Sequence, residues 1–326
     1  MEKRVEYLDL ARAVSIICVI WLHVGTVFTA TDSFVHVFHM PIFFVMSGIC
    51  FKDSVSFADL IKRKTKSLLL PYFFYATSLY LIWTIIYCFV DRTRVIHPVQ
   101  FVSAILVDNA TNSPYACVQW FFTALFFSNI LFFALLRITG NNRALLLCGA
   151  IISGIVSYVI GLLPFRLPLS IDVALMSCFF MTIGYLIKEI ILRWYMIPVL
   201  LSFVVATYII NEETIWNMRL LDYGNPILYM IGSVSLSVTI ITICKYLSSM
   251  LNRTIMSSLC YIGRNSIWVL VYNQFYIQLI RLISEELNIT IPNILIIVVV
   301  VMLMIPTILV ENRISILFKR NTIGKT

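Results

Sequence analysis

Residues 7–23 read YLDLARAVSIICVIWLH, an almost wholly apolar stretch that carries Asp9 and Arg12 near its start and His23 at its end. Similar apolar blocks recur along the 326-residue chain, in which 60% of the residues are hydrophobic and only 12% are Asp, Glu, Lys or Arg. The mean hydropathy is +0.94. A soluble domain has about 25% charged residues. The sequence therefore predicts an all-α integral membrane protein and excludes a soluble enzyme, a disordered chain and a disulfide scaffold.

We place ten membrane spans, because each apolar block of about 20 residues is long enough to cross a bilayer as one helix. The second block is short and contains Pro41 and Gly48, and such an interrupted span is tolerated where it lines a cavity rather than lipid. The longest loop, at 91–116, is expected to carry a short helix or a re-entrant piece. One membrane domain over 1–326 is expected, with short cytoplasmic tails at 1–9 and 311–326. The predicted spans are 10–30, 34–51, 67–90, 117–137, 143–163, 171–192, 194–210, 226–247, 258–283 and 289–310.

The basic residues predict the orientation of these spans. With the N-terminus in the cytoplasm and ten alternating spans, 19 of the 24 Lys and Arg residues fall in cytoplasmic segments. This bias follows the positive-inside rule and supports an even number of spans with both termini in the cytoplasm. Topology thus accounts for the net charge of +8, and no nucleic-acid partner is expected. The five basic residues on the outer side are Arg92, Arg94, Arg166, Arg219 and Arg281.

Ionisable side chains inside the first span are costly to bury and are therefore functional candidates. Arg12 and His23 are eleven positions apart, which is three helical turns plus roughly 20°, so both project from one helix face. The rise between them is about 16 Å, which places Arg12 near the inner interface and His23 near the middle of the membrane. Asp9 lies one turn before Arg12, where the two can pair. One interpretation is that His23 is a buried base and that Arg12 lies at a charged entrance for a cofactor. The alternative is a packed histidine that hydrogen-bonds a neighbouring helix.

A basic segment, KDSVSFADLIKRKTK at 52–66, follows the second span on the predicted cytoplasmic side. One interpretation is positive-inside topology with attraction to anionic lipid headgroups. The other is a phosphate clamp for a nucleotide-bearing donor such as coenzyme A, formed by Lys62, Arg63 and Lys66. Arg264, at the start of the ninth span, is assigned to the same set of donor-binding residues.

Other polar residues in the apolar blocks have an ordinary structural explanation beside a functional one. His39 can be solvated at the membrane interface, and Trp120 can anchor the chain there. Ser47 precedes a glycine, and such a pair lets another helix approach closely and also offers a hydroxyl group. Asp172 suits a helix N-terminus, and Asn273 suits a hydrogen bond between helices. The candidates for acceptor binding or for support of the site are Asp9, His39, Ser47, Trp120, Asp172 and Asn273.

Seven motifs follow one another along the chain: RVEYLDLARA at 4–13, HMPIFFVMSG at 39–48, LLLPY at 68–72, WFFTALF at 120–126, IDVAL at 171–175, FFMTIGY at 179–185 and YIGRNS at 261–266. As an ordered set they resemble the membrane acyltransferase-3 family, bacterial O-acyltransferases that modify cell-envelope sugars. Arg12 and His23 stand in the family's R-x10-H arrangement. The resemblance covers roughly residues 4–310 and is greatest to short members of the fucose 4-O-acetylase-like type. One position departs from the family, because many members carry a histidine where this chain has Asn273.

The resemblance implies a single acyltransferase domain that uses acetyl-CoA as co-substrate, with no bound cofactor and no metal. The acetyl group would pass to a hydroxyl group of a cell-envelope sugar or lipid-linked glycan at the bacterial inner membrane. CoA would enter from the cytoplasmic face, its phosphates would meet Arg12 and the basic segment, and its pantetheine arm would run inward along the first span. His23 would act as general base or would itself carry the acyl group. Ser47 or the glycine after it would help to hold the developing oxyanion.

Two function classes other than an enzyme fit the same features. A transporter or flippase for an envelope glycan precursor also has many spans, a broken span and intramembrane charge, although no inverted repeat is visible in the sequence. An interaction scaffold without chemistry is the third interpretation. The identity of the acyl group, the acceptor and the oligomeric state stay open at this point.

Overall fold

The computed structural model describes residues 5–25, 29–110, 115, 119–190, 193–210 and 216–323. Within these ranges the chain is helical and forms no β-strand, which confirms the all-α prediction. The helices in chain order are α1 (Glu6–Val24), α2 (Thr29–Phe38), α3 (Pro41–Ile49), α4 (Phe57–Lys64), α5 (Leu70–Val90), α6 (Pro98–Leu106), α7 (Trp120–Ile138), α8 (Arg143–Gly161), α9 (Ile171–Ile187), α10 (Met196–Ile210), α11 (Pro226–Met250), α12 (Arg253–Arg264), α13 (Ser266–Glu286) and α14 (Asn293–Ile323).

The chain divides into two compact units. Unit 1 consists of Met1–Asp32 and Leu247–Thr326, so it joins the first helix to the last three. Unit 2 is the continuous segment Ser33–Tyr246. The first span and the ninth span, which carry the candidates Arg12, His23, Arg264 and Asn273, therefore belong to one packed unit.

Every predicted span overlaps a helix, and the chain is a multi-pass membrane protein. In the described part of the chain, seven helical stretches are both long and apolar enough to cross a membrane. Two further apolar stretches, Phe34–Ile49 and Met196–Thr207, are shorter. The count of ten spans and the cytoplasmic location of both termini therefore stay predictions.

The first and ninth spans differ from their predicted boundaries for local reasons. Helix α1 ends at Val24 rather than near residue 30, because Gly25 adopts a φ of 96° that a helix cannot continue. The ninth span is two helices, α12 and α13, which meet at Asn265. The Asn265 side chain donates a hydrogen bond to the Tyr261 carbonyl oxygen over 2.7 Å, and this bond helps to end α12. His23 consequently lies in the last turn of α1.

Two segments that were expected to be irregular are helical. Asp9 was placed in an N-terminal tail, but it lies inside α1 and is buried. The basic segment is largely α4, and it continues into α5 through a π-helical turn at Thr65–Leu69. Pro71 has no N–H to donate and its ring crowds the carbonyl four residues earlier. The helix widens just before it, so that the Leu70 N–H donates to the Thr65 carbonyl oxygen instead.

The loop at 91–116 carries a short helix, α6, as expected. Two tyrosines of α5 hold this region. Tyr72 donates to the Ile105 carbonyl oxygen over 2.7 Å, and Tyr80 donates to the Ile96 carbonyl oxygen over 2.9 Å. These bonds fix the loop against α5.

Contacts within unit 2 agree with the predicted assignment of its loops to the cytoplasmic or the outer side of the membrane. Lys188 and Asp53, both assigned to the cytoplasmic side, form an ion pair over 3.2 Å. Ser170 and Asn109, both assigned to the outer side, are joined by a 2.6 Å hydrogen bond. Segments expected on the same side therefore meet.

A close helix crossing of unit 2 joins α3 and α9 and depends on two glycines. A Cβ atom at Gly48 would lie 1.9 Å from the Met181 carbonyl oxygen, and a Cβ atom at Gly184 would lie 1.9 Å from the Val45 carbonyl oxygen. Neither backbone can move without separating the helices. Glycine at these positions is therefore required by packing, as in other close crossings of membrane helices.

We expect Gly48→Ala to lower the free energy of unfolding by roughly 1–3 kcal/mol, because the added methyl group overpacks the crossing. The measurement is the midpoint of thermal unfolding in detergent micelles. Gly149→Ala is the matched control, since the nearest atoms to its Cβ atom would belong to the flexible side chain of Leu135, the first of them at 2.5 Å, rather than to a backbone. Equal midpoints for the two variants would contradict the packing role of Gly48.

Candidate functional site

His23 is held by a residue 250 positions away in the sequence. The Nδ1 atom of His23, on α1, lies 2.5 Å from the Oδ1 atom of Asn273, on α13. Asn273 is fully buried. The contact confirms that Asn273 hydrogen-bonds between helices, and its partner is the histidine of the first span.

The amide orientation of Asn273 decides which nitrogen of His23 carries a proton. The Nδ2 group of Asn273 donates to the carbonyl oxygens of Val269 and Leu270, both over 2.8 Å. The Oδ1 atom must therefore face His23 and can only accept, so His23 donates from Nδ1. The Nε2 atom is then the nitrogen with the lone pair. A histidine whose tautomer is set by a third group is the arrangement used by general bases and by activated nucleophiles.

We expect Asn273→Ala to reduce turnover by roughly 10- to 100-fold. A hydrogen bond to a charged partner contributes about 1.5–3 kcal/mol, and this bond strengthens when Nε2 takes up a proton. The measurement is the kcat of acyl transfer together with the KM for the acyl donor. Asn273→His restores a side chain that can hydrogen-bond the His23 ring, so it should retain more activity than Asn273→Ala. Unchanged turnover in Asn273→Ala would contradict the orienting role.

A second polar cluster lies near the other end of α1. Asp9 is 1% exposed, and its two carboxylate oxygens pair with two arginines. The Oδ1 atom accepts from Arg12 Nη1 over 2.8 Å, and the Oδ2 atom accepts from Arg264 Nε over 3.0 Å. The predicted pairing of Asp9 with Arg12 is confirmed, whereas the pairing with Arg264 was not predicted.

The two arginines remain partly open to solvent while the acid between them is buried. Arg12 is 26% exposed and Arg264 is 40% exposed. One carboxylate faces two guanidinium groups, so the cluster has a net charge of +1 and presents N–H groups in fixed directions. Guanidinium groups held in this way suit the oxygens of a phosphate or pyrophosphate group.

Gly263 allows α1 and α12 to pack closely enough for this cluster to form. A Cβ atom at Gly263 would lie 1.8 Å from the Asp9 carbonyl oxygen. Only glycine lets α12 approach α1 this closely, and the approach brings the next residue, Arg264, to the Asp9 carboxylate. In the sequence, Gly263 next to Arg264 is typical of a close helix approach, but it does not identify α1 as the partner helix.

The remaining donor-binding candidates belong to unit 2. Lys62 and Arg63 are exposed on α4, and Lys66 is exposed on the π-helical turn. The Arg63 Nε–H donates to the Asp59 carbonyl oxygen over 3.4 Å within its own helix. These three cations share one short helical stretch and face outward from it.

Three of the support candidates form hydrogen bonds with residues three or four positions away in the chain. His39 donates from Nδ1 to the Val35 carbonyl oxygen over 3.0 Å. Ser47 donates to the Phe43 carbonyl oxygen over 2.8 Å. Trp120 is the first residue of α7 and is buried, and its carbonyl oxygen accepts a hydrogen bond from a threonine one turn later.

Asp172 organises the predicted outer end of unit 2. It is fully buried near the start of α9, where its carboxylate accepts from Arg166 Nε over 2.6 Å and from the backbone N–H groups of Leu167 and Val173. Arg166 also donates to the Arg219 carbonyl oxygen over 3.0 Å. Burial lowers the pKa of the Arg219 guanidinium and the nearby Arg166 cation lowers it further, while Asp108 opposes the change. The helix-start explanation of Asp172 is therefore incomplete, because it also binds a loop arginine.

A family model described as an acyltransferase domain matches residues 5–310 of the chain. No curated protein and no solved structure matches the chain. The matched range contains His23, Asn273 and the Asp9–Arg12–Arg264 cluster, so both polar clusters of unit 1 lie within it.

Proposed function

The chain belongs to the membrane acyltransferase-3 family, and from this premise we propose that it transfers an acetyl group from acetyl-CoA to a hydroxyl group of a cell-envelope sugar. The observation that carries the proposal is the His23–Asn273 pair. It provides a half-buried imidazole whose Nδ1 is hydrogen-bonded to Asn273, which assigns proton uptake to Nε2. Chemistry of this kind is required to activate a hydroxyl group at neutral pH, because an unperturbed alcohol is a weak nucleophile.

In the proposed reaction, the oxygen of a sugar hydroxyl group attacks the thioester carbon of acetyl-CoA while His23 Nε2 accepts the hydroxyl proton. A carbon–oxygen bond forms, the carbon–sulfur bond breaks, and the electron pair leaves on the CoA sulfur. The imidazolium then gives its proton to that thiolate, so the products are the sugar acetyl ester and CoA. In a two-step variant the same nitrogen carries the acetyl group, which ping-pong kinetics would reveal.

The proposed donor site is the Asp9–Arg12–Arg264 cluster. Arg12 and Arg264 would bind the CoA pyrophosphate through charge-assisted hydrogen bonds, and Asp9 would hold both guanidinium groups in position. The rise along α1 from Arg12 to His23 is about 16 Å, so the pantetheine arm would run along this helix from the phosphates to the base. On sequence grounds we also propose Lys62, Arg63 and Lys66 as donor contacts at the cytoplasmic surface.

The acceptor would reach His23 from the other side of the membrane. Because His23 lies in the last turn of α1, and the predicted orientation places that end outward, a periplasmic glycan or lipid-linked sugar is the proposed acceptor. The proposed location is the bacterial inner membrane. A thioester from the cytoplasm and a hydroxyl group from outside would then meet at one imidazole.

The proposed function is tested with the purified protein and acetyl-CoA labelled in its acetyl group. Free CoA thiol should appear over time, and label should appear as ester in extracted envelope glycans added as acceptor. Succinyl-CoA in place of acetyl-CoA tests the identity of the acyl group. Tight binding of acetyl-CoA without any thiol release or ester formation would overturn the proposal in favour of a transporter or a scaffold.

A further inference from the structure

A polar cavity of about 450 Å³ lies in unit 1 between the end of α13 and the start of α14. This volume is within the range of about 300–1,000 Å³ that is typical of small-molecule sites. Its lining combines six polar side chains with three isoleucines. The polar lining residues are Arg281, Ser284, Glu285, Asn288, Thr290 and Asn293.

The cavity is connected to the helix that carries His23. Arg281 lines the cavity, and its Nη2 group donates to the carbonyl oxygen of Val24. Val24 follows His23 directly and ends α1. A cation at a helix C-terminus is favourable, because the last carbonyl groups carry partial negative charge. One side chain therefore contributes to the cavity wall and holds the end of α1 at the same time.

Hydrogen bonds fix the backbone conformation at the rim of the cavity. Asn288 adopts a φ of 52°, a left-handed conformation that asparagine tolerates better than most residues. The Asn288 N–H donates to the Glu285 carbonyl oxygen over 3.2 Å, and the Ile289 N–H donates to the Ser284 carbonyl oxygen over 3.0 Å. The Ser284 hydroxyl group in turn donates to the Ile289 carbonyl oxygen. These bonds close the end of α13 and preorganise the side chains on it.

The chemistry of the lining favours a neutral ligand with many hydroxyl groups. The guanidinium of Arg281 and the carboxylate of Glu285 cancel in charge, so the cavity does not select for a net anion or cation. Two carboxamides, from Asn288 and Asn293, both donate and accept hydrogen bonds, as a sugar hydroxyl group does. The isoleucines supply apolar surface for the C–H face of a sugar ring.

We propose that this cavity is the acceptor subsite and that it binds a neutral sugar ring of the glycan that receives the acyl group. The inference rests on the proposed function, because it assigns the second substrate to the Val24 end of α1. The phosphates of the proposed donor lie at the opposite end, near Arg12. Arg281 acts as a positioning residue that joins the subsite to the helix of His23. Glu285, Asn288 and Asn293 hydrogen-bond the sugar hydroxyl groups.

The test compares Glu285→Gln with Glu286→Gln, two neighbouring carboxylates of which only Glu285 lines the cavity. The probes are methyl glycosides of hexoses and 6-deoxyhexoses, offered as acceptors together with labelled acetyl-CoA. We expect Glu285→Gln to raise the acceptor KM about tenfold, since a charge-assisted hydrogen bond to a sugar hydroxyl group is replaced by a weaker neutral one. The KM for acetyl-CoA and the release of CoA thiol without added sugar should stay within about twofold of wild type. Glu286→Gln should leave all three quantities unchanged.

The outcomes separate the subsite from the proposed function. An unchanged acceptor KM in Glu285→Gln and in Asn293→Ala, with transfer intact, overturns the subsite and leaves the acyltransferase proposal standing. Absence of CoA thiol release in the wild-type protein overturns the proposed function instead. The subsite is then judged by saturation-transfer NMR with the same glycosides. A wild-type signal that Glu285→Gln weakens supports it, and no wild-type signal for any glycoside overturns it.

Discussion

His23→Ala is expected to reduce acyl transfer by about 10²–10⁴-fold, which is the usual contribution of a positioned proton-transfer group. The physical reason is that the imidazole is the group that takes up the hydroxyl proton, whereas Asn273 orients the ring but cannot itself accept a proton. His23→Asn and His23→Gln should fail to the same degree, because an amide keeps a hydrogen bond but cannot act as base or acyl carrier. The measurement is ester formation at saturating acetyl-CoA.

Acetyl-CoA binding should survive the loss of His23, because the proposed phosphate contacts lie about 16 Å away along α1. His97→Ala is the matched control, since His97 is an exposed histidine at the start of α6, and it should transfer at a rate within about twofold of wild type. A well-expressed His23→Ala protein that modifies its acceptor at nearly the wild-type rate would contradict the mechanism. His23 would then be a structural imidazole, the alternative that its hydrogen bond to a neighbouring helix also fits.

The parts of this site that lie on one helix were predictable. The spacing of Arg12 and His23 places them on one face of α1 by helix geometry alone, and the spacing of Asp9 and Arg12 allows their ion pair. The contacts of Arg264 with Asp9 and of Asn273 with His23 were not predictable. They join residues 255 and 250 positions apart, and helical periodicity carries no information on which distant helix packs against which.

Some of the helix boundaries were likewise predictable from the sequence, and one was not. Gly25 and Pro71 mark the end of α1 and the π-helical turn before α5 through their own backbone chemistry, so both were present as local signals. The break at Asn265 was not visible, because it depends on a side-chain bond to Tyr261. Hydropathy alone merges α12 and α13 into one span across this break.

Arg12→Ala and Arg264→Ala are each expected to raise the KM for acetyl-CoA by roughly 10- to 100-fold, with little change in kcat. Each removes a charge-assisted contact of about 1.5–3 kcal/mol to the CoA phosphates. Arg12→Lys should recover only part of the loss if the contact is bidentate, since an ammonium group cannot present two parallel N–H bonds. Arg253→Ala is the control, because Arg253 is an exposed arginine at the first position of α12.

The double variant Arg12→Ala with Arg264→Ala separates donor binding from folding. It leaves the buried Asp9 carboxylate without either arginine, and breaking a buried ion pair costs about 3–5 kcal/mol. We therefore expect a low yield of folded protein, which Asp9→Asn in the same chain should restore by removing the charge. The restored triple variant should still bind acetyl-CoA weakly, because the guanidinium groups are absent. Normal acetyl-CoA binding by that variant would contradict the donor site and would make the cluster a purely structural link between α1 and α12.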